Sequence, residues 1–122
     1  NLTFSYSLND CQLMPHYDLL STAVYVAAGE HINEELSQSL GNARNFGQVT
    51  RENVLVFAQE LRLSQRVAER EIDKLCVQIQ QQADELIAQI EEMPVYEGKA
   101  GELQLLRNIR YRCIGEFVNQ IT

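Results

Sequence analysis

The chain has 122 residues, 45% of them hydrophobic and 22% charged, which is the composition of one globular domain or a large part of one. Its net charge of −7 argues against direct nucleic-acid binding and against an anionic membrane surface, because both require clustered Lys and Arg. No apolar run reaches the roughly 18 residues that a membrane-spanning helix needs.

The chain begins with the pattern of a β-hairpin, predicted over residues 1–14. Its first strand alternates apolar and polar residues, and Asn9-Asp10 is typical of a turn. The second strand, residues 11–14, is expected to end before Pro15, because proline cannot donate to a strand ladder. The apolar members of the alternation are Leu2, Phe4 and Tyr6.

In the region between this hairpin and the first long helix, the apolar residues do not recur at a regular spacing. Residues 17–25 are apolar enough for one or two helical turns, whereas residues 26–49 are predicted to be the least regular part. Within that part, residues 36–41 are predicted to be a short extended piece. Phe46 and Val49 are expected to pack against the helix that follows.

Two helices are predicted next, each with a hydroxyl residue at its start. Thr50 is the expected N-cap of the first helix, and Ser64 that of the second. The second helix should run from about residue 65 to 92 and end at Pro94. Its apolar residues recur at steps of three and four: Ile72, Leu75, Cys76, Ile79, Ala83, Leu86, Ile87 and Ile90.

A loop over residues 95–101, with Gly98 and Gly101, is predicted to precede a last helix. The short connections imply antiparallel packing of neighbouring helices. We therefore predict a mainly α fold over one domain, residues 1–122. It would comprise a short N-terminal β-hairpin (1–14) and a helical bundle (50–122).

The three cysteines are Cys11, Cys76 and Cys113. Their number is odd and none forms a C-x-x-C pair, which predicts reduced thiols rather than a disulfide framework or a zinc site. Cys76 and Cys113 lie on apolar helical stripes and are expected to be buried. With no signal peptide in the sequence, we expect a cytoplasmic protein. The absence of an initial Met leads us to expect a truncated polypeptide.

The stretch Leu13-Met14-Pro15-His16-Tyr17-Asp18-Leu19-Leu20-Ser21-Thr22 resembles the C-terminal lobe of the HipA-like serine/threonine kinases. These kinases are the toxins of bacterial toxin–antitoxin pairs. The segments Leu36-Ser37-Gln38-Ser39-Leu40-Gly41, Phe46-Gly47-Gln48-Val49-Thr50 and Leu61-Arg62-Leu63-Ser64 also resemble that family. The resemblance covers residues 1 to about 92. It implies the C-terminal lobe of a protein-kinase-like fold.

The resemblance implies two ligands for nucleotide-bound Mg²⁺. Asp18 corresponds to the magnesium-binding acid, and Asn1 to the asparagine that closes the catalytic loop and also binds the metal. A carboxylate and an amide oxygen are the hard ligands that Mg²⁺ prefers. The family's catalytic base would lie upstream of residue 1, as would its nucleotide-cradling loop and ATP-binding lysine. The chain by itself is therefore expected to contain no catalytic residue and to be inactive.

The function implied for the full-length parent is ATP-dependent phosphorylation of a protein serine or threonine. In the best-known members the substrate is an aminoacyl-tRNA synthetase, and the outcome is growth arrest and persistence. The resemblance also implies a DNA-binding antitoxin as a partner. Any contact with DNA would come chiefly through that antitoxin, in keeping with the acidic charge of this chain.

Structural alternatives stand beside these roles. Asp18 precedes Leu-Leu-Ser-Thr and also fits the N-cap of a helix, and Asn1 also fits a frayed chain end. His16 and His31 fit loop imidazoles. The adjacent acids Glu34-Glu35 and Glu91-Glu92 fit solvated surfaces, and Tyr96 and Tyr111 fit half-buried packing positions.

Two further hypotheses do not involve the kinase. In one, the chain is a non-catalytic helical domain that binds another protein through an apolar groove and uses no metal. In the other, an apolar face that normally meets a missing segment is exposed, and the chain associates with itself in solution.

Overall fold

A computed structural model describes residues 3–15 and 35–122. The predicted helical turns at 17–25 and the first two residues of the predicted hairpin lie outside these ranges. The described residues are mainly helical, with two small antiparallel hairpins, which confirms the predicted mainly α class. In chain order the elements are β1 Phe4–Tyr6, β2 Cys11–Leu13, β3 Glu35–Leu40, β4 Ala43–Asn45, a 3-10 turn Phe46–Gln48, α1 Arg51–Glu60, α2 Gln65–Glu92, α3 Lys99–Asn108, a π-helical segment Ile109–Ile114 and α4 Gly115–Ile121.

The predicted first hairpin is present. β1 and β2 pair antiparallel, with Phe4 opposite Leu13 and Tyr6 opposite Cys11. Beyond the strands, the amide of Met14 donates to the carbonyl of Thr3 at 2.9 Å. Directly opposed residues point to the same face of a hairpin, so the two apolar pairs share one face. All of these residues are exposed.

The second hairpin makes residues 35–48 more regular than their sequence predicts. β3 and β4 pair antiparallel, with Glu35 opposite Asn45 and Leu40 opposite Ala43, and the register is irregular in between. Gly41 in the turn has φ of 53°, which is left-handed backbone. A Cβ on Gly41 would lie 3.1 Å from the carbonyl oxygen of Asn53, so glycine suits both the turn and the approach to α1.

Helix α1 begins at a capping box. The Thr50 hydroxyl accepts from the Asn53 amide at 3.4 Å, and the Asn53 side-chain oxygen accepts from the Thr50 amide at 2.8 Å. Thr50 is thus the predicted N-cap, although the sequence did not identify Asn53 as its partner. Ser64 caps α2 as predicted, because its hydroxyl accepts from the Val67 amide at 3.4 Å.

Removal of the Thr50 hydroxyl is expected to destabilise the chain. For Thr50→Ala we expect the free energy of unfolding to fall by about 1 kcal/mol, because the Asn53 amide in the first turn of α1 loses its side-chain acceptor. Urea unfolding followed by circular dichroism measures this change. Thr50→Ser keeps the hydroxyl and serves as the control. A loss for Thr50→Ser as large as that for Thr50→Ala would contradict the cap.

Helix α2 has the predicted extent. It is 28 residues long, or about 42 Å, and its C-cap Met93 directly precedes Pro94. The Lys99 ammonium donates to the carbonyl of Glu91 at 2.8 Å and also to the carbonyl of Met93. These bonds satisfy carbonyls that the end of a helix leaves without an intrahelical partner, so Lys99 fixes the turn from α2 to α3.

The last helix begins earlier than predicted and is not uniform. α3 starts at Lys99, after Gly98 with φ of 91°, so the loop is shorter than residues 95–101 and Gly101 lies inside the helix. After Asn108 the chain continues through the π-helical segment into α4. Such a segment widens the helix locally, and the sequence did not predict it.

The core lies where the second hairpin, α1, the first half of α2 and α4 meet. Its buried residues are Ala43, Val49, Ile72, Cys76, Val118 and Ile121, with Leu36, Leu40, Val54, Leu55, Ile114 and Phe117 packed against them. Val49 is fully buried, as expected. Phe46 was predicted to be packed but is 51% exposed.

The apolar stripe predicted on α2 is only partly buried. Ile72, Cys76 and Ile87 are buried, whereas Leu75 is 63%, Ile79 41% and Leu86 43% exposed. The second half of α2 lies beyond the reach of α1, which is 10 residues long and connected to the start of α2. Among the described residues, Leu75, Ile79 and Leu86 thus leave one side of α2 with an exposed apolar stripe.

Candidate functional site

The two predicted magnesium ligands, Asn1 and Asp18, lie outside the described residues. The hairpin between them is described. Because Met14 bonds to Thr3, the chain enters and leaves the hairpin at the same end. Asn1 precedes Thr3 by two residues, and Asp18 follows Met14 by four.

Within residues 3–15 and 35–122, no group of three or more His, Cys, Asp or Glu side chains is arranged to hold a metal ion. A shallow cavity of about 370 Å³ lies on the second hairpin and is lined by Glu35, Leu36, Ser39 and Arg44. It offers polar groups for a small ligand.

Two arginines near the C-terminal end of the chain form ion pairs with α2. Arg110 donates to both carboxylate oxygens of Asp84, at 2.8 and 2.9 Å, and its side chain is only 13% exposed. This bidentate bond raises the pKa of the Arg110 guanidinium, which also lies 5.2 Å from the ring centre of Tyr111. Arg107 pairs with Glu91. These contacts tie α3 and the π-helical segment to α2.

The other residues considered as possible catalytic groups either lie on the surface or fall outside the residues that the structure describes. His16, His31 and Glu34 lie outside the described residues. Glu91 and Glu92 are both exposed on α2, which confirms that this acid pair lies on a surface. The Tyr96 hydroxyl donates to Glu102, and this bond raises the pKa of the phenol.

The three thiols are free and differ in exposure. Cys76 is buried at 5% exposure, Cys113 is half-buried and Cys11 is exposed on β2. The predicted burial of Cys76 and Cys113 is confirmed for Cys76, whereas Cys113 is only half-buried. Burial raises the pKa of the Cys76 thiol, which makes it a poor nucleophile in the folded state.

Thiol labelling is expected to follow this order. At mildly alkaline pH, iodoacetamide should modify Cys11 first and Cys76 last, because the thiolate is the reactive form and Cys76 is both buried and harder to ionise. Mass spectrometry of peptides over time measures the three rates. Cys11→Ser should remove the fast phase alone. Equal rates at Cys11 and Cys76 in the folded chain would show that the core is open.

Stability should respond to pH through the same thiol. The folded pKa of Cys76 lies above its unfolded value of about 9.0, so the contribution of the neutral thiol is complete below that unfolded pKa. The contribution is lost as the pH rises through the folded pKa. Cys76→Ala should flatten this alkaline decline in the denaturation midpoint.

Comparison of the chain with family models, with curated proteins and with solved structures gives no match. Among the described residues, no helix has both the length and the apolar character needed to cross a membrane. The functional assignment therefore depends on the residues of the chain and their arrangement.

Proposed function

We propose that this chain belongs to the C-terminal lobe of a HipA-like protein serine/threonine kinase. In this proposal Asp18 and Asn1 supply the carboxylate and amide oxygens that hold Mg²⁺ on ATP. When bound, the metal neutralises charge on the β- and γ-phosphates during phosphoryl transfer. The catalytic base and the nucleotide clamp would be contributed by residues upstream of residue 1.

The observation that supports this proposal is the first hairpin. The open end of the hairpin is closed by the bond between Thr3 and Met14. Asn1 lies two residues before Thr3, and Asp18 lies four residues after Met14. A short paired element of this kind restricts the separation of groups that flank it. Asn and Asp are also the chemically correct donors, because Mg²⁺ favours oxygen over nitrogen or sulfur.

The cellular role follows from the same proposal. The substrate would be a serine or threonine of a protein such as an aminoacyl-tRNA synthetase, and phosphorylation would arrest growth. A DNA-binding antitoxin would hold the kinase inactive. The acidic chain favours an arrangement in which the antitoxin, rather than this lobe, makes the contacts with DNA.

The test is a titration of the full-length protein with a non-hydrolysable ATP analogue, with Mg²⁺ and after its removal by EDTA. Isothermal calorimetry should show saturable binding that depends on Mg²⁺. Incubation with radiolabelled ATP should transfer phosphate to a protein hydroxyl. An absence of nucleotide binding in a folded full-length protein would overturn the proposal.

A second candidate is a helical protein-interaction domain without catalytic activity. The observation that favours it is the exposure of Leu75, Ile79 and Leu86 on one side of α2. Exposed apolar stripes of this kind are typical of surfaces that bind other proteins. This candidate predicts no effect of Mg²⁺ or ATP analogue on the full-length protein, so the same titration separates the two.

A further inference from the structure

A seven-residue apolar repeat runs along α2 to its C-cap Met93. Ile72, Ile79, Leu86 and Met93 follow one another at steps of seven, which places them on one stripe because two helical turns take about 7.2 residues. Ile72 is buried against the core, whereas Ile79, Leu86 and Met93 are 41%, 43% and 47% exposed. Leu75 extends the same stripe and is 63% exposed.

The stripe is free of charge over the stretch where it is exposed. Between Leu75 and Leu86 its members are Leu75, Ile79, Gln82 and Leu86. The amide nitrogen of Gln82 donates to Glu85 at 2.9 Å, so its polar end is directed to the flank and its methylenes remain on the stripe. A partner would thus meet a continuous apolar surface.

This surface is complementary to itself. The stripe is symmetric in sequence about the midpoint between Gln80 and Gln81. Leu75 and Leu86 are equally far from that midpoint, and so are Ile79 and Gln82. An antiparallel copy of α2 centred on that midpoint would set Leu75 against Leu86 of the second copy, and Ile79 against Gln82. A two-fold axis repeats each pair, as an isologous interface requires.

The charges on one flank fit the same arrangement. Lys74 and Glu85 lie on the same side of the stripe, and in the antiparallel pair Lys74 comes within about 3 Å, along the helix axis, of Glu85 of the second copy. Lys74 forms no ion pair within the part of the chain that the structure describes. The like-charged pair on this flank is Glu71 with Glu92 of the second copy, and Arg70 already neutralises Glu71 at 2.7 Å.

We propose that the chain forms an antiparallel homodimer in which α2 packs on α2 through Leu75, Ile79, Gln82 and Leu86. The helices would cross at a shallow angle of about 20°, the class in which facing residues stay paired over several turns. The surface is small, so the dimer is weak and depends on concentration. This inference does not depend on the kinase proposal.

Sedimentation equilibrium of the 122-residue chain tests the dimer. We expect a mass that rises with concentration towards twice the 14.0 kDa of one chain. Leu86→Glu should raise the dissociation constant by about tenfold or more, because it places a charge in the interface. Val77→Glu is the matched control, since Val77 is 53% exposed on the opposite side of the same helix. Circular dichroism should show that both variants keep the helical content.

A charge exchange tests the orientation. Lys74→Glu and Glu85→Lys should each weaken the dimer, and the double variant should restore most of the affinity. A chain that stays monomeric at the highest soluble concentration would overturn the proposal. Loss of the dimer in Phe4→Ser, with no effect of Leu86→Glu, would also overturn it and would assign the contact to the exposed face of the first hairpin.

Discussion

If the kinase proposal is correct, replacement of Asp18 by Ala in the full-length parent is expected to lower phosphoryl transfer by about 10²–10³-fold, the usual cost of losing one preorganised electrostatic group at a reacting centre. The reason is that the carboxylate is the charged member of the proposed Mg²⁺ ligand pair. Less Mg²⁺ would be held at a given concentration, so the concentration for half-maximal activity should rise. A radiolabelled-phosphate assay over a range of Mg²⁺ concentrations measures both effects.

Asp18→Asn separates metal binding from helix capping. Asn caps a helix about as well as Asp, so a capping role predicts normal stability and normal activity for this variant. Metal binding predicts normal stability with activity nearly lost, because the negative charge is gone while the shape is kept. Full activity of Asp18→Asn at low Mg²⁺ would assign Asp18 to a cap and would remove the kinase proposal's main support.

Asp10→Ala provides the matched control for Asp18. Asp10 is an exposed acid in the turn of the first hairpin, eight residues earlier in the sequence, and only its backbone carbonyl is seen to accept hydrogen bonds, from Ser7. Its replacement should leave phosphoryl transfer within about twofold of the parent, as expected for a surface position away from the chemistry. A loss as large as that of Asp18→Ala would show that the hairpin itself, rather than the ligand, is the sensitive element.

The largest effect on stability is expected at Ile72. Ile72→Ala removes a side chain that is 9% exposed and belongs to the core cluster between α2, the second hairpin and α4. We expect the free energy of unfolding to fall by about 3 kcal/mol, since the lost methyl and methylene groups leave a cavity that the well-packed neighbours cannot fill. That is a large part of the 5–15 kcal/mol that stabilises a typical domain.

Val77→Ala is the comparison on the same helix. Val77 is 53% exposed, so its truncation removes little buried surface, and Ala is the better helix former. We expect a change within about 0.5 kcal/mol, as for most surface substitutions. Guanidinium unfolding at low protein concentration measures both variants on the monomer. Equal losses for Ile72→Ala and Val77→Ala would contradict the position of the core.

The sequence by itself determined where α1 and α2 begin and where α2 ends, since these signals are local. Thr50 and Ser64 offer hydroxyls to the first turns of α1 and α2, and Pro94 cannot continue α2, so each of these boundaries follows from neighbouring residues. The alternation of apolar and polar residues near the start of the chain also predicted the first hairpin correctly. The proposed ligands Asn1 and Asp18 come from sequence resemblance alone and stay a prediction.

Tertiary structure alone decided which apolar residues are core and which are surface. Ile72 and Leu75 have the same periodicity, yet Ile72 faces the core whereas Leu75 is exposed, because α1, α4 and the second hairpin cover only one side of α2. The bidentate bond between Arg110 and Asp84 joins residues 26 positions apart, and no local pattern encodes such a distance. Periodicity fixes the face of a helix on which a side chain lies, whereas burial depends on which elements pack against that face.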